Sequence, residues 1–166
     1  MWNSIETFRQ KKNIKRAFSE RVIKIQRVFK VVKGGKKLSF RATVVIGNKR
    51  GRVGVGVGKG SDSSKAIEKG RIDAHKNMIK INLTTSNSIP HETRGRFGAA
   101  DVMLKPSSPG SGVIAGGSIR AVVELAGIKN ILSKQFGSGN LLNNARATIN
   151  GLKSVNCYDK YKRALK

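Results

Sequence analysis

The run Arg52–Gly58, RVGVGVG, admits few backbone arrangements. Its period of two puts Val53, Val55 and Val57 on one face of a strand and Gly54, Gly56 and Gly58 on the other. Glycine weakens a strand, because it loses the most backbone freedom and offers no side chain to pack. A strand that keeps three of them in register implies a close neighbour on that face. A packed helix or an approaching RNA would meet the requirement, and a helix is the simpler of the two.

The flanking segments supply the rest of a sheet. Arg21–Val32 (RVIKIQRVFKVV) mixes β-branched, aromatic and cationic residues and reads as a strand. Lys33-Gly34-Gly35-Lys36 is a glycine turn with cationic flanks. Leu38, Phe40, Ala42, Val44 and Ile46 then alternate with Ser39, Arg41 and Thr43, which marks a strand with one buried face. Gly47–Gly51 is a second turn. A helix follows the Val/Gly strand, capped by Ser61 or Asp62. Ile67, Gly70, Ala74, Met78 and Ile81 recur at helical spacing, while Lys65, Lys69, Lys76 and Lys80 share another face with Arg71 nearby. Few acids offset those lysines, so phosphate contact is expected along that stripe.

The polar stretch Asn82–Ser88 marks a junction. Beyond it the pattern predicts strands at Ile89–Phe97 and Ala100–Lys105, a loop at Pro106–Gly117, and a helix at Ser118–Ala126 ended by Gly127. A strand at Ile128–Phe136 and a helix at Asn140–Leu152 follow, the helix with Leu142, Ala145, Ile149 and Leu152 on one face. The division is a basic arm at 1–20, a first domain at 21–84, a second at 85–155 and a basic tail at 156–166. Domains of roughly sixty to eighty residues bury only about 60% of their unfolded surface, so each gains from docking onto a partner.

Charge narrows the partner. The chain holds 34 Lys and Arg against 9 Asp and Glu, a formal net charge of +25. Such a chain repels itself unless a polyanion neutralises it. A membrane fits least well, since no apolar run approaches the ~20 residues a spanning helix needs and no long helix joins a strongly apolar face to a basic one. The single Cys157 excludes an internal disulfide and suits a reducing compartment. One cysteine with His75 and His91 cannot make a zinc finger, and no metal or cofactor is expected. Residues Met1–Glu20 carry Arg9, Lys11, Lys12, Lys15 and Arg16, but Trp2, Glu6 and Glu20 break a transit-peptide pattern. They read as a solvated arm of the kind that orders on RNA.

Enzyme readings lack parts. A P-loop needs Gly, four residues, then Gly-Lys-Ser/Thr; around Gly58-Lys59 the first position is Val53 and the last is Gly60. Gly110–Ala115 matches the permissive dinucleotide form Gly-x-Gly-x-x-Ala. Pro106 and Pro109 separate it from the preceding strand, and Glu124 comes too early to hold a ribose. The same loop suits an anion or a neighbouring backbone better, with the helix start at Gly117-Ser118 adding partial positive charge and Lys105 and Arg120 flanking it. The nine acids are scattered singly, His75 reads as exposed or RNA-facing, His91 as structural, and Cys157 as an inert thiol. Aromatic residues are too few for a single-strand stacking platform, so recognition by shape and phosphate is expected. A free-standing double-stranded-RNA-binding regulator and, more weakly, a nucleotide-dependent enzyme built on Gly110–Ala115 stand as alternatives to a structural RNA-binding protein.

The segments VVKGGKKLSF (Val31–Phe40), GRVGVGVGK (Gly51–Lys59), IPH (Ile89–His91), FGAA (Phe97–Ala100), SPGSGVIAGGSI (Ser108–Ile119) and ATINGL after Arg146 closely resemble the fifth small-subunit ribosomal protein family of bacteria and plastids. They occur in family order from about Glu20 to Leu152, and Asn143–Arg146 and Leu125–Lys129 resemble the plastid version. The resemblance implies an α+β fold of two small domains: a double-stranded-RNA-binding-like sheet plus helix, then a ββαβα domain. It implies a structural constituent of the small ribosomal subunit, in a plastid or else in a bacterial cytoplasm. The place would be near the mRNA entry region and the neck, with a bearing on translation accuracy. Small-subunit rRNA would meet Arg27, Lys30, Lys33, Gly34, Gly35, Lys36, Lys49, Arg50, Arg52, Lys59, Lys65, Lys69, Lys76 and Lys80. Gly112 and Arg120 would face ribosomal protein four, with ribosomal protein eight as the other neighbour. The chain departs from the family at Asn48 (usually Asp), Gly60 (usually Ala), Leu141 (commonly Pro) and Asp101 (commonly neutral or basic). The last two bear on where the final helix starts and on an rRNA contact at 101.

Overall fold

The computed structural model describes residues 18–164, with side chains for 18–155. Most of the expected arm at 1–20, the tail side chains from 156 onward and Cys157 lie outside those residues. Four antiparallel strands form a first sheet in chain order: β1 (Ser19–Val32), β2 (Gly35–Gly47), β3 (Arg52–Gly60) and the two-residue β4 (Ile79–Lys80). Helix α1 (Ser63–Lys76) lies across one face of it.

The glycine face of β3 is the seat of α1. A Cβ at Gly56 would lie 2.1 Å from the backbone nitrogen of Ala74 and 2.4 Å from the carbonyl oxygen of Gly70. At Gly54 it would meet the Ala74 carbonyl at 2.2 Å, and at Gly58 the Ala66 carbonyl at 2.0 Å. Helix backbone, not RNA, therefore occupies the space the glycines leave. Asp73 fastens the pair, its carboxylate accepting the Val57 N–H at 2.9 Å. Ala42, Val44, Ile46, Ala66 and Ala74 fill the small core between them.

The valine face of the same sheet is also buried. Val45, Val53 and Val55 join Val122, Val123, Leu125 and Ala126 of α2 (Gly117–Ala126) in one core that continues through the second half of the chain. The β2–β3 turn reinforces this joint: the Lys49 N–H donates to the Leu125 carbonyl (3.0 Å) and the Gly51 N–H to that of Ala126 (2.8 Å). Carbonyls left over at a helix end are thus satisfied by the other domain. Asn48 Oδ1 accepts from the N–H groups of Arg50 (2.8 Å) and Arg52 (3.0 Å), so it supplies the acceptor oxygen an Asp would offer there.

The second sheet contains β5 (Thr93–Phe97), β6 (Ala100–Pro106), β7 (Val113–Ile114) and β8 (Ile131–Gly137), in the order β5-β6-β8-β7. Helix α2 and the long α3 (Leu141–Ala164) cover its inner face, where Val102, Leu104, Ala145 and Leu152 are fully buried. Gly95 repeats the device of β3, since a Cβ there would meet the Ala147 carbonyl of α3 at 2.1 Å. The mixed α+β, two-domain architecture agrees with the expectation from sequence.

Several boundaries differ. Helix α1 stops at Lys76, because the Asn77 side chain donates to the Asp73 carbonyl (3.1 Å) and closes the last turn. Met78 and Ile81 therefore leave the helical stripe, and Ile81 donates its N–H to the Gly51 carbonyl instead. Strands β5 and β8 begin at Thr93 and Ile131 rather than Ile89 and Ile128. Val113–Ile114, expected within a loop, forms β7 by parallel pairing with Ile131–Leu132. Helix α3 runs on past Leu152 to Ala164. It starts at Leu141 without a proline, because Asn140 Oδ1 accepts the Leu142 N–H at 3.1 Å. The left-handed Gly127 (φ 93°) ends α2 as expected.

Candidate nucleic-acid interface

Strand β3 pairs with β2 only as far as Phe40 opposite Gly60. Beyond that point β1 and β2 run on alone as a two-stranded ribbon, ending at Val32 opposite Gly35. Cross-strand partners share a face, so Phe29 with Leu38 and Val31 with Lys36 lie on the α1 side, while Lys30 with Lys37 and Gln26 with Arg41 lie on the other. Phe29 is 63% exposed and Val31 75%. A lone ribbon of this kind is marginal in water, so its exposed residues call for a partner. Gly34 and Gly35 make the tip with φ of +91° and +150°, and nothing lies within 4 Å of a Cβ placed on either. Their glycine is a matter of backbone angle, with open space around it.

Between Arg21 and Ser61 the chain carries twelve Lys and Arg and no Asp or Glu. No carboxylate on that stretch would oppose a phosphate. Arg27, Lys30, Lys33 and Lys36 are all exposed along the ribbon, and Lys59 is exposed at its base opposite Arg41. Lys24, Lys37 and Arg41 belong to the same surface but were not singled out from sequence. The signal for them was the same acid-free run.

The expected contact residues do not form one patch. Lys49, Arg50 and Arg52 sit at the far end of β2, roughly 40 Å from the tip at about 3.3 Å per residue, in and beside the turn that docks on α2. Lys80 joins them, since β4 places it opposite Arg52; the expectation that it shares the α1 stripe is corrected. Lys65, Lys69 and Lys76 are exposed on α1, with Ile72, 46% exposed, between the last two. Of the nearby acids, Asp62 caps the helix through the Ser63 N–H (2.7 Å) and Asp73 holds Val57, which leaves the exposed Glu68 to offset the lysine stripe. Arg71 is engaged elsewhere, in an ion pair with Glu20. His75 is half-buried with its ring edge-to-face against Phe18 at 5.6 Å, so the reading of it as exposed or RNA-facing is corrected.

The second candidate surface is smaller. Gly112 (φ +73°) has open space around it, and its carbonyl accepts the Ile131 N–H at 3.1 Å. Arg120 is bound within the chain: its Nε donates to Glu124 Oε1 (2.6 Å), while Arg21 of β1 donates to Oε2 (2.5 Å). The Arg120 hydrogen bond, aided by Arg21 and opposed by partial burial, lowers the Glu124 carboxyl below its ordinary value of 4.5. Sequence reasoning missed this triad because β1 and α2 meet only in the fold. The Gly110–Ala115 segment is committed to structure, with the Gly110 N–H on Asn130 Oδ1 (3.1 Å) and Val113–Ile114 in β7. It is not the strand–turn–helix a dinucleotide site requires. Among the described residues no group of three His, Cys, Asp or Glu is placed to hold a metal ion, and no helix is long and apolar enough to cross a membrane.

Comparison with known proteins gives a consistent result over most of the chain. Residues 18–82 match the family model for the ribosomal protein S5 N-terminal domain, and residues 95–164 that for the ribosomal protein S5 C-terminal domain. The chain is 65% identical over 141 residues to small ribosomal subunit protein uS5c of Emiliania huxleyi, covering 85% of this chain and 89% of that one. It is 62% identical over 141 residues to uS5c of Guillardia theta, covering 85% and 83%. Against uS5 of the cyanobacterium Acaryochloris marina identity is 59% over 143 residues, covering 86% and 81%.

Proposed function

The chain belongs to the ribosomal protein S5 family, a structural and non-enzymatic constituent of the small ribosomal subunit, and on that premise we propose how its surfaces are used. The ribbon residues Arg27, Lys30, Lys33, Gly34, Gly35 and Lys36, with Lys59 at its base, meet small-subunit rRNA near the mRNA entry region and the neck. The α1 stripe Lys65, Lys69 and Lys76 and the far-end group Lys49, Arg50, Arg52 and Lys80 make separate phosphate contacts. The observation that carries this is the acid-free run Arg21–Ser61, whose twelve cations are divided between the far turn and a ribbon that no part of its own sheet covers. The Gly112–Arg120 surface faces ribosomal protein four, with ribosomal protein eight as a second neighbour, and through the first of these the protein supports translation accuracy. Relatives of the algal uS5c type reach 65% and 62% identity against 59% for the cyanobacterial one, which supports a plastid ribosome over a bacterial cytoplasm.

A tagged chain followed through a sucrose gradient after a salt wash tests the reading. Phosphate contacts weaken steeply with salt because each releases counterions, yet a component held by many contacts and by protein neighbours stays with the small subunit at one copy. Release into the soluble fractions at moderate salt would favour the free RNA-binding regulator instead.

A further inference from the structure

The two faces of the ribbon differ in chemistry. Away from α1, Lys30 pairs with Lys37 and Gln26 with Arg41. On the α1 side Phe29 pairs with Leu38 and Val31 follows towards the tip, and the three are 63%, 40% and 75% exposed in that order. Helix α1 stops short of them. Its first turn stands over the end of β3, where a Cβ on Gly60 would lie 2.8 Å from the backbone nitrogen of Ala66. Gly60 is opposite Phe40, and the Phe29–Leu38 pair lies two residues further out, about 7 Å along the strands. The ring thus lies on a step, with the ribbon as its floor and the start of α1, bearing the exposed Lys65, as its wall.

Two cations bracket the apolar pair on this same face. Arg27 lies one step nearer the sheet, opposite Phe40, and Lys36 one step nearer the tip, opposite Val31, some 13 Å apart along the ribbon. Whatever covers the face must bring apolar surface to the ring and negative charge to both sides of it, and the ribbon has no carboxylate to supply the second. A paired RNA helix offers phosphate but keeps the flat faces of its bases stacked inside. A protein segment would have to match the six cations between Arg27 and Arg41 with carboxylates of its own. An unpaired nucleotide brings both parts at once, since its base stacks on an aromatic ring while its backbone meets cations. A single ring is no platform for a run of bases, but it suffices for one. We propose that the α1 side of the ribbon is a single-base site, in which Phe29, flanked by Leu38 and Val31, stacks on an unpaired base of rRNA while Arg27 and Lys36 hold the phosphates on either side. The inference rests on the ribosomal reading and adds a base contact to the phosphate contacts assigned to the ribbon.

The test replaces Phe29 with a photoreactive benzophenone amino acid and irradiates purified small subunits that contain the chain at one copy. The expected product is a cross-link to one unpaired nucleotide, located by reverse transcription. The full chain is then titrated with an rRNA fragment that carries this nucleotide. Phe29→Ala should weaken binding at least about fivefold and leave the salt slope unchanged, because no phosphate contact is lost. Phe29→Trp should bind like the unsubstituted chain. A cross-link to protein alone, a cross-link to a paired nucleotide, or no cross-link from stoichiometric subunits would overturn the inference. So would a Phe29→Ala chain that binds as tightly as the unsubstituted one, or one whose salt slope falls. Exclusion of even the unsubstituted chain from small subunits would instead overturn the ribosomal reading, and this site with it.

Discussion

Both sheets seat a helix on glycine, Gly54–Gly58 under α1 and Gly95 under α3, but they are finished differently on the opposite side. The first sheet is closed: its valine face packs on α2 and shares a core with the second domain. What it leaves open is an extension, the ribbon beyond Phe40, and that extension carries cations and apolar side chains but no acid. Among the described residues the second sheet has no such extension and leaves a whole face open, with ion pairs and apolar side chains mixed. An acid-free surface fits a polyphosphate backbone, whereas a surface that already neutralises some of its own charge fits a protein. The contrast also separates glycines that exclude side chains from glycines that permit a turn.

The sharpest way to test the packing role of the β3 glycines is to compare a crowded glycine with one in open space. Gly56→Val drives side-chain atoms into the backbone of Ala74 and Gly70, and a urea titration should show a loss of about 3 kcal/mol or more. Gly117→Ala, where nothing lies within 4 Å of the new Cβ and the position is helical, should be neutral or raise stability by up to about 1 kcal/mol. Equal losses at the two sites would remove the distinction.

The ribbon should behave oppositely, with function impaired and stability kept. Replacing Lys30, Lys33 and Lys37 by Gln should leave the unfolding free energy within about 0.5 kcal/mol. The slope of log affinity for an rRNA fragment against log salt should fall by roughly 0.7–0.9 for each phosphate that is no longer neutralised. An unchanged slope would mean that the ribbon does not meet phosphate.

Glu124→Gln should have the smallest effect. The carboxylate links β1 to α2 through Arg21 and Arg120, but it is a third exposed, so its removal should cost less than about 1 kcal/mol. Its folded-state pKa is lowered, so the stabilisation is present above the ordinary carboxylate value and disappears as pH falls through the lowered one. Wild type and variant should therefore differ at neutral pH and converge in acid, as thermal melts across that range would show.

Much of this was readable in the chain. The Val/Gly alternation forecast a close neighbour on β3, and the periods of two and of about 3.6 located most elements. What sequence could not supply was anything decided by distant pairing. Val113–Ile114 becomes a strand only because Ile131–Leu132 lies beside it, and two residues in a Pro- and Gly-rich loop carry no period of their own. Met78 and Ile81 fit the helical spacing of α1 by position, yet the Asn77 side chain ends the helix first. Helix α3 outran its apolar stripe because nothing after Leu152 breaks a helix. The cationic residues were legible as a class, but their division between ribbon and far turn, like the engagement of Arg120 by Glu124, exists only in three dimensions.

The most direct test of the contrast is a map of ultraviolet peptide–RNA cross-links in intact small subunits. The account predicts nucleotides attached to peptides from the ribbon, residues 24–41, and none on the open face of the second sheet at 92–106 and 131–137. Nucleotides on that face, with the ribbon peptides unmodified, would contradict it.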